Sequence, residues 1–210
     1  MIRLYFAPRT RSVRVLWLLL ELELPHELVH VEFKPPARRF FTQDTPTGKL
    51  PTLEDGDVTL CESGAIVEYL LERYGEGRLA PAIGTPGRAA FLQWLHYAES
   101  TAFPPLGIVV WLTRYRQDPS ELAALVADAR ERARSSFDYL ERELGDRPYL
   151  VGDDFSAADI MMGFTLVAAQ VVGVLGQDHP RLIAYLGRLA ARPAFQQAAA
   201  TSLASDGGTP

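Results

Sequence analysis

The feature that most constrains the fold is a short segment that combines a strand-opening proline, a hairpin turn and a helix start. Residues 51–54 and 58–60 are rich in strand-forming side chains, and Asp55-Gly56-Asp57 between them is a tight-turn signal. Glu62-Ser63 then opens a helical pattern that runs over residues 63–74. The segment therefore predicts a β-hairpin followed directly by a helix.

This layout can hold a small extended peptide at both ends. If the Leu50–Pro51 bond is cis, the backbone of Leu50 turns outward and can pair with a peptide as an added strand would. The N–H groups of the helix start, beside Ser63, suit a ligand carboxylate, and the Glu62 carboxylate suits an ammonium group. Glutathione has this combination of groups. A trans proline, a favourable charge beside the helix dipole and simple capping are the alternative interpretations.

The chain divides by composition into two parts. Residues 1–78 alternate strand and helix signals, which predicts an α/β thioredoxin-like N-terminal domain. Glycine and proline crowd into the next stretch, so residues 79–87 are predicted to be a linker. Residues 88–210 are predicted to form an all-helical C-terminal domain. Besides the hairpin and its helix, the predicted N-terminal elements are strands at 2–6 and 27–33, a helix at 12–23 and a short helix at 37–42.

The C-terminal part contains two local signals. Pro104-Pro105 should kink or break the first of its helices. Ser156 and Asp159 have the spacing of a capping box, with Phe155 and Ile160 at the staple positions, so we interpret this motif as a folding device without a chemical role. The predicted helices are 88–116, 120–144, 156–174, 180–191 and 193–201, and residues 198–210 are expected to fray.

Bulk properties exclude several classes of function. The net charge of −5 over 210 residues argues against general nucleic-acid binding. The single cysteine, Cys61, rules out an intramolecular disulfide and fits a reducing compartment. The first residues resemble a strand rather than a signal peptide, and the apolar run 13–20 is too short to span a membrane. We expect a cytoplasmic protein without a metal, since the four histidines show no metal-ligand spacing.

Four motifs in order along the chain resemble cytosolic glutathione S-transferases, in particular the serine/threonine-type members of bacteria and fungi. The resemblance implies the two-domain fold of that family and a glutathione thiolate activated for conjugation to a small hydrophobic electrophile, as in detoxification. It also implies a homodimer. A glutathione-dependent peroxidase or disulfide reductase, and a non-catalytic binding or regulatory protein, are the alternatives. The motifs are residues 8–19, 45–51, 62–70 and 155–162.

The thiolate needs a hydrogen-bond donor, because a free thiol with a pKa of about 8.5 is mostly protonated at neutral pH. By resemblance, Thr10 occupies the place of the active serine, and a role as helix cap is its alternative. Tyr5 at the end of the first strand is the competing donor, and Ser12 is the third candidate. Nearby, Arg9, Arg11 and Arg14 either attract an anionic ligand or form a solvated face.

The expected glutathione-binding residues are Lys49, Leu50, Pro51, Glu62 and Ser63. Lys49 is the weaker candidate, for the glycyl carboxylate, since an exposed lysine is equally expected there. The acceptor pocket should lie between the two domains. Three apolar residues around the proline pair are candidates to line it, with ordinary core packing as the alternative: Phe103, Leu106 and Trp111. Cys61 adjoins the glutathione motif but suits a small buried hydrophobe better.

Overall fold

The computed structural model describes residues 1–32, 45–115 and 122–204, the side chains of 203 and 204 excepted. Four strands in this part form one mixed sheet with the order β2-β1-β3-β4. β1 runs parallel to β2 and antiparallel to β3, and β3 pairs antiparallel with β4 across the predicted hairpin. The strands are β1 (Ile2–Phe6), β2 (His26–His30), β3 (Thr52–Asp55) and β4 (Val58–Cys61).

The helices match the predicted ones to within a few residues at each end. The short helix expected at 37–42, and the predicted ends at 116 and 120, lie outside the described residues. The helices are α1 (Ser12–Glu21), α2 (Ser63–Tyr74), α3 (Pro86–Tyr97), α4 (Phe103–Arg114), α5 (Ala123–Leu144), α6 (Ala157–Val171), α7 (Pro180–Ala190) and α8 (Pro193–Ala204).

The chain folds into two compact units that differ from the predicted division. Unit 1 comprises Met1–Arg78 together with Ala190–Pro210, and unit 2 comprises Leu79–Leu189. The helices after residue 88 are divided between the two units, because α8 packs on α1 within unit 1. Described residues that were expected to fray are also ordered into α8, where Ala198 is buried.

In unit 1, α1 is buried on all sides. Every side chain from residue 15 to residue 19 is essentially inaccessible to solvent, which requires cover on more than one face of the helix. The sheet and α2 cover part of α1, and α8 covers another part. The Trp17 ring meets the Phe195 ring of α8 edge to face, with 4.9 Å between centroids. The hydrophobic pattern of α1 therefore specifies an interior helix between the sheet and the end of the chain.

In unit 2, the predicted helix break is present and has a clear cause. A five-residue π-helical segment, Ala98–Ala102, separates α3 from α4. Pro104 and Pro105 follow it in the first turn of α4. Neither proline has an N–H to donate to the carbonyl four residues earlier, so the regular hydrogen-bond ladder cannot continue through them. The proline pair breaks the helix, as the sequence predicts.

The capping box at the start of α6 is also confirmed. The buried Asp159 carboxylate accepts hydrogen bonds from the Ser156 N–H and hydroxyl, both at 2.8 Å. It also accepts from the Leu150 N–H at 2.9 Å and the Tyr185 hydroxyl at 2.6 Å. Burial raises the pKa of Asp159, and the pKa of Tyr185 lies well above its usual value for the same reason. The Phe155 ring contacts Tyr149, and its staple contact with the helix stays a prediction.

Candidate functional site

The register of the sheet brings three segments of unit 1 to one edge. Tyr5 at the end of β1 pairs with Thr52 at the start of β3, and Thr52 pairs with Cys61 at the end of β4. Antiparallel strands alternate in direction, so the end of β1 and the end of β4 meet the start of β3. The loop after β1, the residues before β3 and the start of α2 therefore lie at the same edge of the sheet.

The loop after β1 carries two hydroxyl groups that converge on one carbonyl. The Thr10 hydroxyl donates to the Ala7 carbonyl oxygen at 2.8 Å, and the Ser12 hydroxyl donates to the same oxygen at 3.0 Å. The two hydroxyl oxygens are 2.6 Å apart. Ser12 is buried and also accepts from the Ala7 N–H at 3.2 Å, whereas Thr10 is half-buried.

These contacts assign different roles to the two hydroxyls. Ser12 closes the loop from inside, since it accepts from the Ala7 N–H and donates to the Ala7 carbonyl without help from Thr10. Each hydroxyl has a single hydrogen to donate. The two hydrogens serve three contacts, since the 2.6 Å contact between the hydroxyl oxygens also needs a donor. To donate to a ligand, Thr10 therefore gives up its bond to the Ala7 carbonyl, where the Ser12 hydroxyl can replace it. Of the two, Thr10 is the accessible donor.

Tyr5, the competing donor, uses its hydroxyl within the sheet. This hydroxyl donates to the Glu54 carboxylate at 2.8 Å, and Glu54 also pairs with Arg3 at 2.8 Å. The hydrogen bond to Glu54 raises the pKa of Tyr5, with burial as the next cause. Tyr5 and Glu54 share the wall of a cavity of about 410 Å³, whose remaining lining residues are Thr45, Pro46, Thr52 and Thr59. The Tyr5 phenol therefore has a carboxylate as its partner already.

The segment before β3 contains the cis proline bond on which the predicted pairing of Leu50 with a peptide depends. The Leu50–Pro51 peptide bond is cis. The buried Leu50 packs in one apolar cluster with Tyr5 and Ala7, which ties this segment to the loop that carries Thr10. Lys49 is exposed, and its carbonyl oxygen accepts a hydrogen bond from the Thr45 hydroxyl at 3.0 Å. Leu50 and Pro51 thus lie beside the Thr10 loop, while the Lys49 side chain lies in solvent.

The start of α2 combines an exposed acid with a buried hydroxyl. Glu62 has a positive φ of 70° and a ψ of 113°, a conformation that side chains rarely adopt, and its side chain is exposed. Ser63 is buried, and its hydroxyl accepts a hydrogen bond from Arg14 Nη1 at 3.1 Å. No hydrogen bond from a side chain caps this helix among the described residues. The carboxylate of Glu62 therefore faces solvent at an uncapped helix start.

Arg14 corrects one expectation and shows a functional contact that sequence reasoning missed. Its side chain is completely buried, so it forms no solvated face and is not exposed to a ligand. It bridges α1 to Ser63 at the start of α2. The basic spacing of residues 9, 11 and 14 suggests only an electrostatic role, and nothing in the local sequence identifies Ser63 as the partner. Arg14 thus fixes the Ser63 hydroxyl from the interior of unit 1.

The three residues proposed for the acceptor pocket lie in α4 of unit 2. Leu106 is completely buried. Phe103 is almost buried and stacks on Phe164, with ring centroids 6.0 Å apart. Trp111 is half-buried, with its ring 5.6 Å from that of Tyr115. An acceptor pocket lined by Phe103, Leu106 and Trp111 therefore stays a prediction, with ordinary core packing as its alternative.

Two further features bear on the chemistry of the chain. Cys61 is partly exposed, and its sulfur lies 3.6 Å from the Thr52 hydroxyl oxygen. Within residues 1–32, 45–115 and 122–204, no three His, Cys, Asp or Glu side chains are grouped so that they could hold a metal ion. No helix in these ranges has both the length and the apolar character needed to cross a membrane.

Comparison with known proteins identifies relatives over almost the whole chain. Residues 4–78 match the family model of the glutathione S-transferase N-terminal domain, and residues 123–188 match that of the C-terminal domain. Glutathione S-transferase GstB of Escherichia coli K12 is 33% identical over 194 residues, 90% of this chain and 92% of the relative. The glutathione S-transferase-like protein tpcF of Aspergillus fumigatus is 30% identical over 198 residues, 88% of each chain.

Solved structures agree with these relatives. A sphingomonad glutathione S-transferase complexed with glutathione superposes with a TM-score of 0.81 at 28% identity, over 95% of this chain and 98% of that one. The mixed sheet of unit 1 and the helices of unit 2 correspond to a thioredoxin-like domain and an all-α domain. Because both family models match in the expected order and the relatives cover nearly the full length, the chain belongs to the glutathione S-transferase family.

Proposed function

We propose that the protein binds glutathione at the sheet edge of unit 1 and uses the Thr10 hydroxyl to stabilise its thiolate for conjugation to a small hydrophobic electrophile. The observation that carries this proposal is the shared Ala7 carbonyl. The Ser12 hydroxyl can replace Thr10 at that carbonyl, and the half-buried Thr10 hydroxyl can then donate to a bound sulfur. The serine/threonine subtype of the family is part of the proposal.

The chemical task of the site is to lower the pKa of the glutathione thiol. A hydrogen bond donated to sulfur favours the thiolate over the thiol, and each pKa unit corresponds to about 1.4 kcal/mol. Hydrogen bonds to charged groups contribute about 1.5–3 kcal/mol. One hydroxyl is therefore able to move the pKa from about 8.5 to near neutrality, where about half of the bound glutathione is ionised. The thiolate then attacks the electrophile, and the leaving group departs with the displaced electron pair.

The rest of glutathione would extend along the same edge. The Glu62 carboxylate would pair with the amine of the γ-glutamyl group, and the first-turn N–H groups of α2 beside Ser63 would bind its carboxylate. The Leu50 backbone, next to Pro51, would pair with the cysteinyl residue as an added strand does. Lys49 would serve the glycyl carboxylate. The exposure of Glu62 and the burial of Ser63 against Arg14 support this direction of binding.

The first test is direct binding. We expect calorimetry to detect glutathione binding, and the ultraviolet absorbance of the thiolate, followed against pH, to show a lowered thiol pKa in the complex. Binding without a lowered pKa would favour a carrier or sensor and contradict the transferase. Absence of binding would contradict the glutathione site itself. Screening electrophiles and peroxides with the activated complex separates conjugation from glutathione-dependent reduction.

The donor is tested by two variants assayed at saturating glutathione. Thr10→Ala removes the proposed donor, so we expect turnover to fall by about 10-fold to 100-fold, the equivalent of one hydrogen bond to a charged sulfur. Tyr5→Phe removes only the hydrogen bond to Glu54 and should keep turnover within about twofold. Full turnover in Thr10→Ala with loss in Tyr5→Phe would assign the role to the phenol. A loss of turnover in Ser12→Ala would not identify the donor, since that change also removes the hydrogen bonds that close the loop.

A further inference from the structure

The residue before Thr10 has a backbone that needs support from elsewhere in the structure. Arg9 has a φ of 58°, in the left-handed region. For a residue with a Cβ atom this conformation is unfavourable by roughly 1–2 kcal/mol, so it persists only where surrounding contacts hold it. Thr10 follows Arg9 directly, so the direction of the Thr10 side chain depends on the backbone conformation of Arg9.

A side chain from the other end of the sequence supplies such a contact. The Arg9 N–H donates to the Ser202 hydroxyl oxygen at 3.1 Å, across 193 positions of sequence. Ser202 lies in α8 and is only 8% exposed, so water does not readily replace it as acceptor. The hydrogen bond fixes the peptide N–H of Arg9 in the orientation that the left-handed conformation requires.

The helix that carries Ser202, α8, is attached to α1 by several contacts. Near the start of α8, the Arg192 guanidinium donates to both carboxylate oxygens of Glu21 in α1, each at 2.7 Å. Glu21 also accepts from Trp17 Nε1 at 2.9 Å, and the Trp17 ring packs against Phe195. These contacts fix α8 on α1 within unit 1. The rigid helix then carries the Ser202 hydroxyl to the loop that follows β1.

We infer that Ser202 is a positioning residue for the Thr10 hydroxyl, an inference that rests on the function proposed above. The loop is held at two points. Within the loop, Thr10 and Ser12 share the Ala7 carbonyl, and from outside, Ser202 accepts from the N–H of Arg9, the residue before Thr10. Misplacement of a catalytic group by about 1 Å is enough to reduce turnover by as much as 100-fold. Loss of the Ser202 acceptor leaves the inner contact intact, so the expected effect is smaller, about tenfold.

The test compares Ser202→Thr with Ser202→Val, two side chains of nearly equal shape that differ in the hydroxyl. Three quantities are measured in the full chain: amide hydrogen exchange of a peptide covering residues 7–14, the thiol pKa of bound glutathione, and kcat with KM for glutathione. Ser202→Val should exchange faster in this peptide, raise the thiol pKa and lose about tenfold in kcat, with KM within about twofold. Ser202→Thr should retain the wild-type values.

The outcomes separate this inference from the proposed function. Equal exchange, thiol pKa and kcat in the two variants would overturn the role of Ser202 while the wild-type thiol pKa still supports the transferase. A wild type that does not lower the thiol pKa would overturn the proposed function, and the exchange data would then still decide whether Ser202 holds the loop. Faster exchange throughout unit 1 in Ser202→Val, with unchanged thiol pKa, would show a merely structural role and overturn the inference.

Discussion

Two helices of this protein begin in opposite ways. At the start of α6, Ser156 and Asp159 bond to each other, and the carboxylate accepts four hydrogen bonds in the interior of unit 2. At the start of α2, Glu62 has a positive φ and an exposed carboxylate. In the part of the chain that the structure describes, its side chain forms no capping hydrogen bond to the first turn. The N-terminus of α6 is capped by side chains of its own segment. The N-terminus of α2 has no such side-chain cap in the described part of the chain, so the positive end of its dipole is open to a ligand.

Similar residues complete a helix cap in one place and leave the helix start open in the other. Both sites combine a serine with an acid next to a helix N-terminus. In α6 the acid lies inside the helix and folds back, whereas in α2 the acid precedes the helix and the serine is held by Arg14. An acid at the third helical position completes the cap, while an acid before the helix stays available. Three substitutions test this contrast.

Removal of the α6 acid should cause the largest loss of stability. Asp159→Ala leaves the buried Leu150 N–H, Ser156 N–H and Tyr185 hydroxyl without their acceptor, so we expect the free energy of unfolding to fall by about 3–5 kcal/mol. Urea unfolding followed by circular dichroism measures this change. Asp153→Ala removes an exposed carboxylate nearby and should stay within about 0.5 kcal/mol of wild type. A loss below about 1 kcal/mol in Asp159→Ala would contradict the folding role.

The second change tests the buried phenol that bonds to the same acid. Tyr185→Phe removes a hydrogen bond to a buried carboxylate and should reduce the free energy of unfolding by about 1.5–3 kcal/mol at neutral pH. Burial holds the pKa of Tyr185 well above the ordinary value of 10.0. Above pH 10.0, the Tyr185 hydroxyl of the unfolded wild-type chain loses its proton, while that of the folded chain keeps it. The free energy of unfolding of the wild type therefore falls as pH rises.

The pH dependence provides the sharper measurement. Above the ordinary tyrosine value, the stability difference between wild type and Tyr185→Phe should shrink by up to about 1.4 kcal/mol per pH unit. The other tyrosines are common to both proteins and cancel in the difference. Urea unfolding of the two proteins at neutral and alkaline pH measures it. A difference that stays constant across the alkaline range would show that Tyr185 is not held in its neutral form.

The third change concerns the open helix start. Glu62→Gln keeps the shape of the side chain and removes its charge, so we expect glutathione to bind about tenfold more weakly, the equivalent of about 1.4 kcal/mol. Calorimetric titration measures the affinity. Glu72→Gln makes the same change at an exposed position further along α2 and should leave affinity unaltered. Unchanged affinity in Glu62→Gln, or loss of stability in place of affinity, would place Glu62 with the folding residues.

The features that sequence predicted well are local ones. The capping box needs only the spacing of Ser156 and Asp159, and the hairpin needs only the turn at Gly56, which indeed has a positive φ. The assignment of Thr10 as the donor, which stays a prediction, rests on a resemblance of motifs and not on spacing alone. In each case the relevant physical interaction spans a few residues, so the pattern is visible in a short window of sequence.

The features that sequence did not predict depend on distant partners. Tyr185 lies 26 positions from Asp159, and Ser202 lies 193 positions from Arg9. Neither partner has a local signal, because a tyrosine or serine inside an apolar helix is common. The positive φ of Glu62 also has no glycine to mark it. Similarly, nothing in the local sequence of α8 shows that the helix packs on α1.

The placement of α8 has a consequence for how the chain is made. Unit 2 is contiguous in sequence, but unit 1 needs Phe195 and Arg192 to cover Trp17 and Glu21. During synthesis on the ribosome, the first 78 residues emerge long before α8 exists, so their apolar α1 surface must wait uncovered. Unit 2 is able to complete its core first. The N-terminal segment of unit 1, which emerges first, is therefore the last to be completely covered.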